Sequence, residues 1–280
     1  MTTAPINKVM PLSLVDGPGN RSTIFFQGCN LACAYCHNPE TQNQCHHCGI
    51  CVSGCPSGAL TKADGRVNWD PEVCVQCDQC IHVCSSNASP KVRHLTPEEI
   101  FEEIQKNLPF IRGITVSGGE STLYPHFIKE LFTIARAHGL TCLIDSNGTT
   151  DLTSYPALLA LCEGVMLDVK AWDQQTYQKI TGGLTNAVVK KNLHHLACCN
   201  KLEEIRIVCL PGEVDAEAVI SGIAETIGEN VTDVKLKLIT FRSNGVNGRL
   251  QNTPSPDDTY MQQLLQQAYE LGFEKAVIVS

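Results

Sequence analysis

The 280 residues are 43% hydrophobic and 18% charged, with a formal net charge of −8 at pH 7. That bounds the chain to one large domain, or one domain carrying a smaller insertion, with enough length to bury a sizeable core. The acidic balance argues against a nucleic-acid surface, no apolar run approaches the ~20 residues of a membrane span, and residues 1–8 lack the layout of a signal peptide, so a cytoplasmic protein that meets neither nucleic acid nor membrane is expected.

The first strand is expected at residues 22–26. Gln27-Gly28-Cys29 follows it and opens the spacing Cys29-x3-Cys33-x2-Cys36, with Tyr35 before the third cysteine. Three thiolates in so short a span can hold three irons of a cubane [4Fe–4S] cluster. An ordinary electron-transfer cluster takes four cysteines. The fourth iron is then open, and something other than the protein binds it.

The chain has sixteen cysteines. In a cytosolic chain they do not read as a disulfide framework. Eleven fall between positions 29 and 84, a crowding that points to metal. Residues 42–92 show little helix or strand pattern and read as a small inserted domain folded around metal, because it has almost no core of its own. Cys45-x2-Cys48-x2-Cys51-x3-Cys55-Pro56 is a complete bacterial ferredoxin run, and Cys74-x2-Cys77-x2-Cys80-x3-Cys84 repeats it with Ser85 where proline usually stands. In two-cluster ferredoxins the fourth cysteine of each run crosses to the other cluster. One [4Fe–4S] cluster is therefore expected on Cys45, Cys48, Cys51 and Cys84, and the other on Cys55, Cys74, Cys77 and Cys80. A pair of zinc sites is the alternative, but two complete runs exceed what zinc needs. His46, His47 and His82 receive no ligand role. The remaining cysteines, Cys142, Cys162, Cys198, Cys199 and Cys209, read mostly as buried small hydrophobes.

From residue 95 helix-like and strand-like segments alternate. Thr96 is a good N-cap, Pro97 fits the first turn and Glu99 completes a capping box; Ile100, Phe101, Ile104 and Leu108 mark the apolar face. Strands are expected at 113–117, 140–144, 164–169, 204–210 and 233–239. Helices are expected at 125–138, 153–162, 174–180, 185–199 and 215–227. The tail from 253 adds a helix and a strand at 276–279. Six strands with helical crossovers imply a parallel sheet.

Functional candidates fall at the C-terminal ends of these strands, where α/β barrels carry their sites. Ser117-Gly118-Gly119-Glu120 follows one strand, its glycines allowing close backbone approach to a ligand. Asp145-Ser146-Asn147-Gly148 ends the next. Asp168 and Lys170 share a face of an extended segment. Arg206 sits in the apolar run Ile205-Arg206-Ile207-Val208 and needs an anionic partner.

The CxxxCxxC loop with its aromatic residue resembles the radical S-adenosylmethionine (radical SAM) superfamily. Val15-Asp16-Gly17-Pro18-Gly19-Asn20-Arg21, Gln27-Gly28-Cys29, Cys36-His37-Asn38-Pro39-Glu40, the SGGE, DSNG and DVK segments, and Arg206 followed by Pro211-Gly212 resemble the glycyl-radical enzyme activating enzymes over residues 9–248. Residues 113–120 and 166–172 look most similar to the YjjW-type activases.

The resemblance implies an α/β fold: a partial (β/α)6 TIM-like barrel of the radical SAM type over 1–41 and 93–280, with a ferredoxin-like insertion at 42–92. It implies reductive cleavage of S-adenosylmethionine to a 5′-deoxyadenosyl radical, which takes hydrogen from a glycine of a partner glycyl-radical enzyme. Cys29, Cys33 and Cys36 would hold the catalytic cluster, making three [4Fe–4S] clusters in all. Tyr35, Gly118, Gly119, Glu120, Ser146, Asn147, Asp168, Lys170 and Arg206 would contact the cofactor. Asp145, Ser146, Met166 and Asp168 match a monovalent-cation site of pyruvate formate-lyase activase. That enzyme has a histidine near the adenosine where this chain has Arg242, which would replace that contact or meet the partner. Asp16, Gly17, Pro18 and Gly19 would receive the partner's glycine loop. A reduced flavodoxin or ferredoxin as donor, a monomeric state and anaerobic work complete the expectation. The alternative is a radical SAM enzyme acting on a small molecule or peptide with auxiliary clusters; a non-catalytic electron carrier is a third reading.

Overall fold

The computed structural model describes residues 2–280. In chain order the elements are β1 (Ala4–Ser13), β2 (Arg21–Phe26), β3 (Leu60–Ala63), β4 (Arg66–Trp69), α1 (Gln79–His82), β5 (Arg93–Leu95), α2 (Pro97–Ile104), β6 (Gly113–Gly118), α3 (Pro125–Ala137) and β7 (Thr141–Ser146). They continue with α4 (Pro156–Leu161), β8 (Gly164–Asp168), α5 (Gln174–Thr181), α6 (Ala187–Cys198), β9 (Leu202–Cys209), α7 (Ala216–Ile227), β10 (Lys235–Thr240), α8 (Asp258–Glu270) and β11 (Ala276–Val279).

One nine-stranded sheet runs in the order β11-β10-β9-β8-β7-β6-β2-β1-β5. From β2 to β11 every pairing is parallel, so the six strands expected from the helical crossovers form its centre in chain order. β1 joins β2 antiparallel, and β5 joins β1 antiparallel. The sheet is open, its end strands β11 and β5 being unpaired with each other. No helix among the described residues is long and apolar enough to cross a membrane.

Residue alternation along the strands gives the sheet two unlike faces. Ile24 and Phe26, Ile114 and Val116, Ile144, Val165 and Leu167, Ile205 and Ile207, and Leu236 and Leu238 are all buried and belong to one hydrophobic core with the helices. α3 alone contributes Phe127, Ile128, Leu131, Phe132 and Ala135, each at most 1% exposed; full burial of one such large side chain stabilises by about 1.5–3 kcal/mol. The other face carries Thr23, Thr115, Ser117, Asp145, Asp168, Glu204, Arg206 and Lys237, in mutually consistent register. A polar inner face is what a binding site needs.

The structure departs from expectation in four places. β1 escapes notice because Pro5 and Pro11 argue against a strand; Pro5 pairs only with the three-residue β5, and Pro11 falls inside a register shift, so little of the ladder is lost. α4 is shorter than 153–162, because Asp151 caps a separate 3-10 turn (Leu152–Ser154) and Pro156 restarts the helix. The helix from Thr96 keeps its capping box but turns 3-10 after Ile104, with Pro109 inside that turn. Within 42–92 there is a hairpin, β3–β4, turned on Asp64-Gly65 with φ +50 and +74. Asp-Gly is the dipeptide that such a positive-φ turn favours, and it is a strong short-range hairpin signal in a sequence. Its local core is thin: Cys51, Leu60, Val67 and Cys80 are the buried members. Of the five scattered cysteines, Cys142, Cys162 and Cys209 are buried, while Cys198 and Cys199 are exposed.

Candidate functional site

At the C-terminal ends of β6, β7 and β8 lies a cavity of about 210 Å³. The loop after β2 brings Cys29, Cys33, Tyr35 and Cys36 to it; the strand ends bring Ser117, Gly118, Gly119, Glu120, Asp145, Ser146, Asn147, Asp168 and Lys170.

The cysteine loop is clamped by its backbone. Gly28 N–H donates to Thr41 O (2.7 Å) and Cys29 N–H to Gln42 O (2.8 Å). On the other side Ala32 N–H donates to Thr181 O and Ala34 N–H to Ile180 O, both at 2.8 Å. These are the terminal carbonyls of α5, which a helix leaves without partners of its own. The helix stops there because Gly182 adopts φ +68, a left-handed cap.

Burial pushes all three thiols up, Cys33 to about 12. The Lys170 ammonium opposes that shift at each of them. Burial also works against the charge on Lys170, but Asp168 at 2.9 Å, with Tyr35 and Cys33 nearby, keeps it protonated. Its Nζ lies 5.6 Å from the centroid of the Tyr35 ring. The Tyr35 hydroxyl is buried with no hydrogen-bond partner.

The two glycines of the SGGE segment line the cavity and are also set against protein backbone. A Cβ on Gly118 would come 2.2 Å from Phe26 N, and one on Gly119 2.2 Å from Gly28 O. The close approach they permit is therefore to the backbone of β2 and its loop. Gly119 N–H donates to Phe26 O (2.9 Å) and Glu120 N–H to Gly28 O (2.8 Å). The Glu120 carboxylate is 1% exposed and held by four donors. It accepts from Thr122 N–H (3.1 Å), the Thr122 hydroxyl, the Ser146 hydroxyl (2.9 Å) and Asn147 N–H (2.7 Å). Burial pushes its carboxyl up, and these donors pull it back. Asn147 in turn donates through its amide to Asn30 Oδ1 (3.1 Å) and Cys29 Sγ (3.7 Å).

Arg206 has its anionic partners within the chain. Nε donates to Glu204 Oε1 (2.6 Å), Nη1 pairs with Asp145 Oδ1 (3.0 Å), and Nη2 lies 3.1 Å from Met166 Sδ. It does not line the cavity. The expected cation ligands do not form a free cage: Asp145 is held by Arg206 and by the Ser117 hydroxyl (2.8 Å), Asp168 by Lys170, and the Ser146 hydroxyl by Glu120. Among the described residues no three or more His, Cys, Asp or Glu converge as a single metal ion would require.

Arg242 is exposed and stands outside the cavity lining. His37 lines the cavity, stacks edge-on against Phe241 (6.4 Å) and is lowered by burial and then by the Arg242 charge. It was legible only as part of the CHNPE run. The loop at 16–19 is also outside the lining. Asp16 Oδ2 accepts from the Ser13 hydroxyl (2.6 Å) and the Thr23 hydroxyl (2.9 Å), and its carbonyl accepts from Thr115 (2.6 Å). Pro18 and Gly19 are exposed.

The eight cysteines of 42–92 fall into two groups. Cys55, Cys74, Cys77 and Cys80 line one small cavity beside Trp69 and Lys91. The thiol of Cys51, raised by burial, has Cys45, Cys48 and Cys84 around it, and it shares a small buried cluster with Cys80.

The radical SAM superfamily model matches residues 23–220, well over half of the chain. This chain belongs to the radical SAM superfamily. Within it, it belongs with the glycyl-radical enzyme activating enzymes. A protein from Haemophilus influenzae assigned as such an enzyme is 30% identical over 91% of this chain and 89% of its own. The benzylsuccinate synthase activating enzyme of Thauera aromatica is 30% identical over 86% of this chain and 79% of its own. Among solved structures, QueE from Escherichia coli covers 99% of this radical SAM chain and 94% of its own at 13% identity and a TM-score of 0.58, a likeness of fold.

Proposed function

We propose that this radical SAM protein activates a partner glycyl-radical enzyme by taking a hydrogen atom from one of its backbone glycines. The observation that carries the reading is a single cavity shared by Cys29, Cys33, Cys36, Lys170 and the strand-end motifs, in a chain alike over most of its length to activating enzymes. Bound at an open iron and given one electron, S-adenosylmethionine supplies the 5′-deoxyadenosyl radical that accepts this hydrogen.

The residues fit such a group. Cys29, Cys33 and Cys36 would hold the catalytic [4Fe–4S] cluster, one thiolate to each of three irons. Iron, rather than Lys170 alone, would bring those raised thiols to thiolate. Lys170, protonated and at the cavity wall, is the cation that would meet the cofactor's carboxylate. The orphaned Tyr35 hydroxyl marks a place where a bound group would satisfy a buried donor. Gly118 and Gly119 hold the end of β6 against the cysteine loop, so the carbonyls there are fixed for the cofactor's amino group. Glu120 acts through Ser146 and Asn147, holding the turn after β7 in shape. A monovalent cation beside the cofactor would draw on Asp145, Ser146, Met166 and Asp168, whose side chains otherwise meet Arg206, Glu120 and Lys170.

Residues 42–92 would form the inserted domain, with Cys45, Cys48, Cys51 and Cys84 on one cluster and Cys55, Cys74, Cys77 and Cys80 on the other. The grouping of the thiols supports this crossed pairing. A reduced flavodoxin or ferredoxin would supply the electron. Three cubanes would give about twelve irons per chain, four each. Cys33→Ala is expected to lose about a third of the reconstituted iron and to form no 5′-deoxyadenosine under reductant. Full iron with undiminished cleavage would sink the cluster assignment.

A further inference from the structure

Glu204 has no part in the reading above. It lies on the inner face of β9, 3% exposed, and three cations converge on it. Arg206 Nε donates to Oε1 at 2.6 Å, Lys237 Nζ lies 2.9 Å from Oε2, and Lys235 Nζ stands 3.8 Å from the same oxygen. The register explains the convergence: in the parallel β9–β10 pair Lys235 stands opposite Glu204 and Lys237 opposite Arg206.

A buried carboxylate with only Arg206 as partner would hold that guanidinium on itself. Here Lys237, its side chain 17% exposed, balances the second oxygen, and Arg206 has charge left for Asp145. A guanidinium is planar, so fixing Nε on one side fixes where the other nitrogens point. With Nε on Glu204, Nη1 meets Asp145 at 3.0 Å and Nη2 meets Met166 Sδ at 3.1 Å. Asp145 lines the cavity. The chain Lys237–Glu204–Arg206–Asp145 thus runs from the middle of β10 to the cavity wall.

We propose that Glu204, braced by Lys237, is the positioning residue that fixes Arg206 against Asp145 and so sets that wall of the cofactor site. The proposal rests on reading the cavity as the S-adenosylmethionine site, with Asp145 in its wall and Arg206 holding Asp145 from behind. The test is equilibrium binding of S-adenosylmethionine to the reconstituted, unreduced protein, beside thermal unfolding. Glu204→Gln alone would strand a cation and lower stability whatever its role. The deciding variant is E204Q/K237Q, which neutralises both members of that pair. We expect its Tm to stay near that of the wild type while the dissociation constant rises about tenfold, equivalent to ~1.4 kcal/mol. Glu204→Asp, which keeps the charge but shortens the reach, is expected to weaken binding in the same direction and serves if the double variant does not fold. Wild-type affinity in these variants would overturn the proposal, leaving Glu204 only as the counter-charge of Lys237. Wild-type affinity in Arg206→Gln would overturn the role of Arg206 in fixing Asp145 for the cofactor, and the role of Glu204 with it. Failure of the wild type itself to bind would instead overturn the cavity reading.

Discussion

Glu120 carries a structural load beyond its place in the cavity lining. Its place after two glycines at a strand end made it legible as a site residue, and it does line the cavity. Its carboxylate, though, accepts four donors from Thr122, Ser146 and Asn147. Replacing it by glutamine turns one acceptor into a donor facing other donors, and a buried group left unsatisfied costs about 1–3 kcal/mol. Glu120→Gln is therefore expected to lower unfolding stability by about that amount, read from the urea midpoint at unchanged m-value. A loss below a few tenths would mean the turn is held elsewhere. Arg206 makes the same point: a buried arginine announced the need for an anion, and Glu204 lies two residues away on the same face of β9, but only the pairing of β7, β8 and β9 shows that Asp145 provides the other. Sequence spacing names the chemistry of a site; which donor meets which acceptor depends on strands paired far apart in the chain.

Among the elements, α5 does most to shape the cysteine loop. Its last two carbonyls take the N–H groups of Ala32 and Ala34, on either side of Cys33. The left-handed Gly182 makes those carbonyls available. Space is not the obstacle to a side chain there, the nearest atom to an added Cβ being Ala32 Cβ at 3.7 Å. Backbone conformation is, at about 1–2 kcal/mol for an L-residue. Gly182→Ala is expected to lose that much stability and to speed amide exchange at Ala32 and Ala34, with exchange in β6 and β7 unchanged. Unaltered exchange in the loop would show that α5 is not its anchor. The elements with regular periodicity were legible: the central strands follow from short apolar runs and their crossover helices from apolar residues three and four apart. Those governed by proline or by metal were not. Pro5 and Pro11 hid β1, and the density of cysteines in 42–92 drew notice away from the Asp64-Gly65 turn that makes β3–β4.

The whole molecule is an open sheet with an apolar face under helices and a polar face toward the cavity. Its parallel order followed from the crossovers alone. Beside it, residues 42–92 gather eight thiols in two groups around a core of four buried residues, two of them cysteines. The most direct test of the account is anaerobic. Reconstituted protein, S-adenosylmethionine and a low-potential reductant are mixed with the glycyl-radical enzyme encoded nearest its gene, and electron paramagnetic resonance is recorded while 5′-deoxyadenosine is assayed in the same tube. The account predicts a glycyl-radical doublet on the partner, with 5′-deoxyadenosine formation ceasing once the partner is charged. Sustained 5′-deoxyadenosine formation matched by a small-molecule product, with no doublet on any such partner, would contradict it.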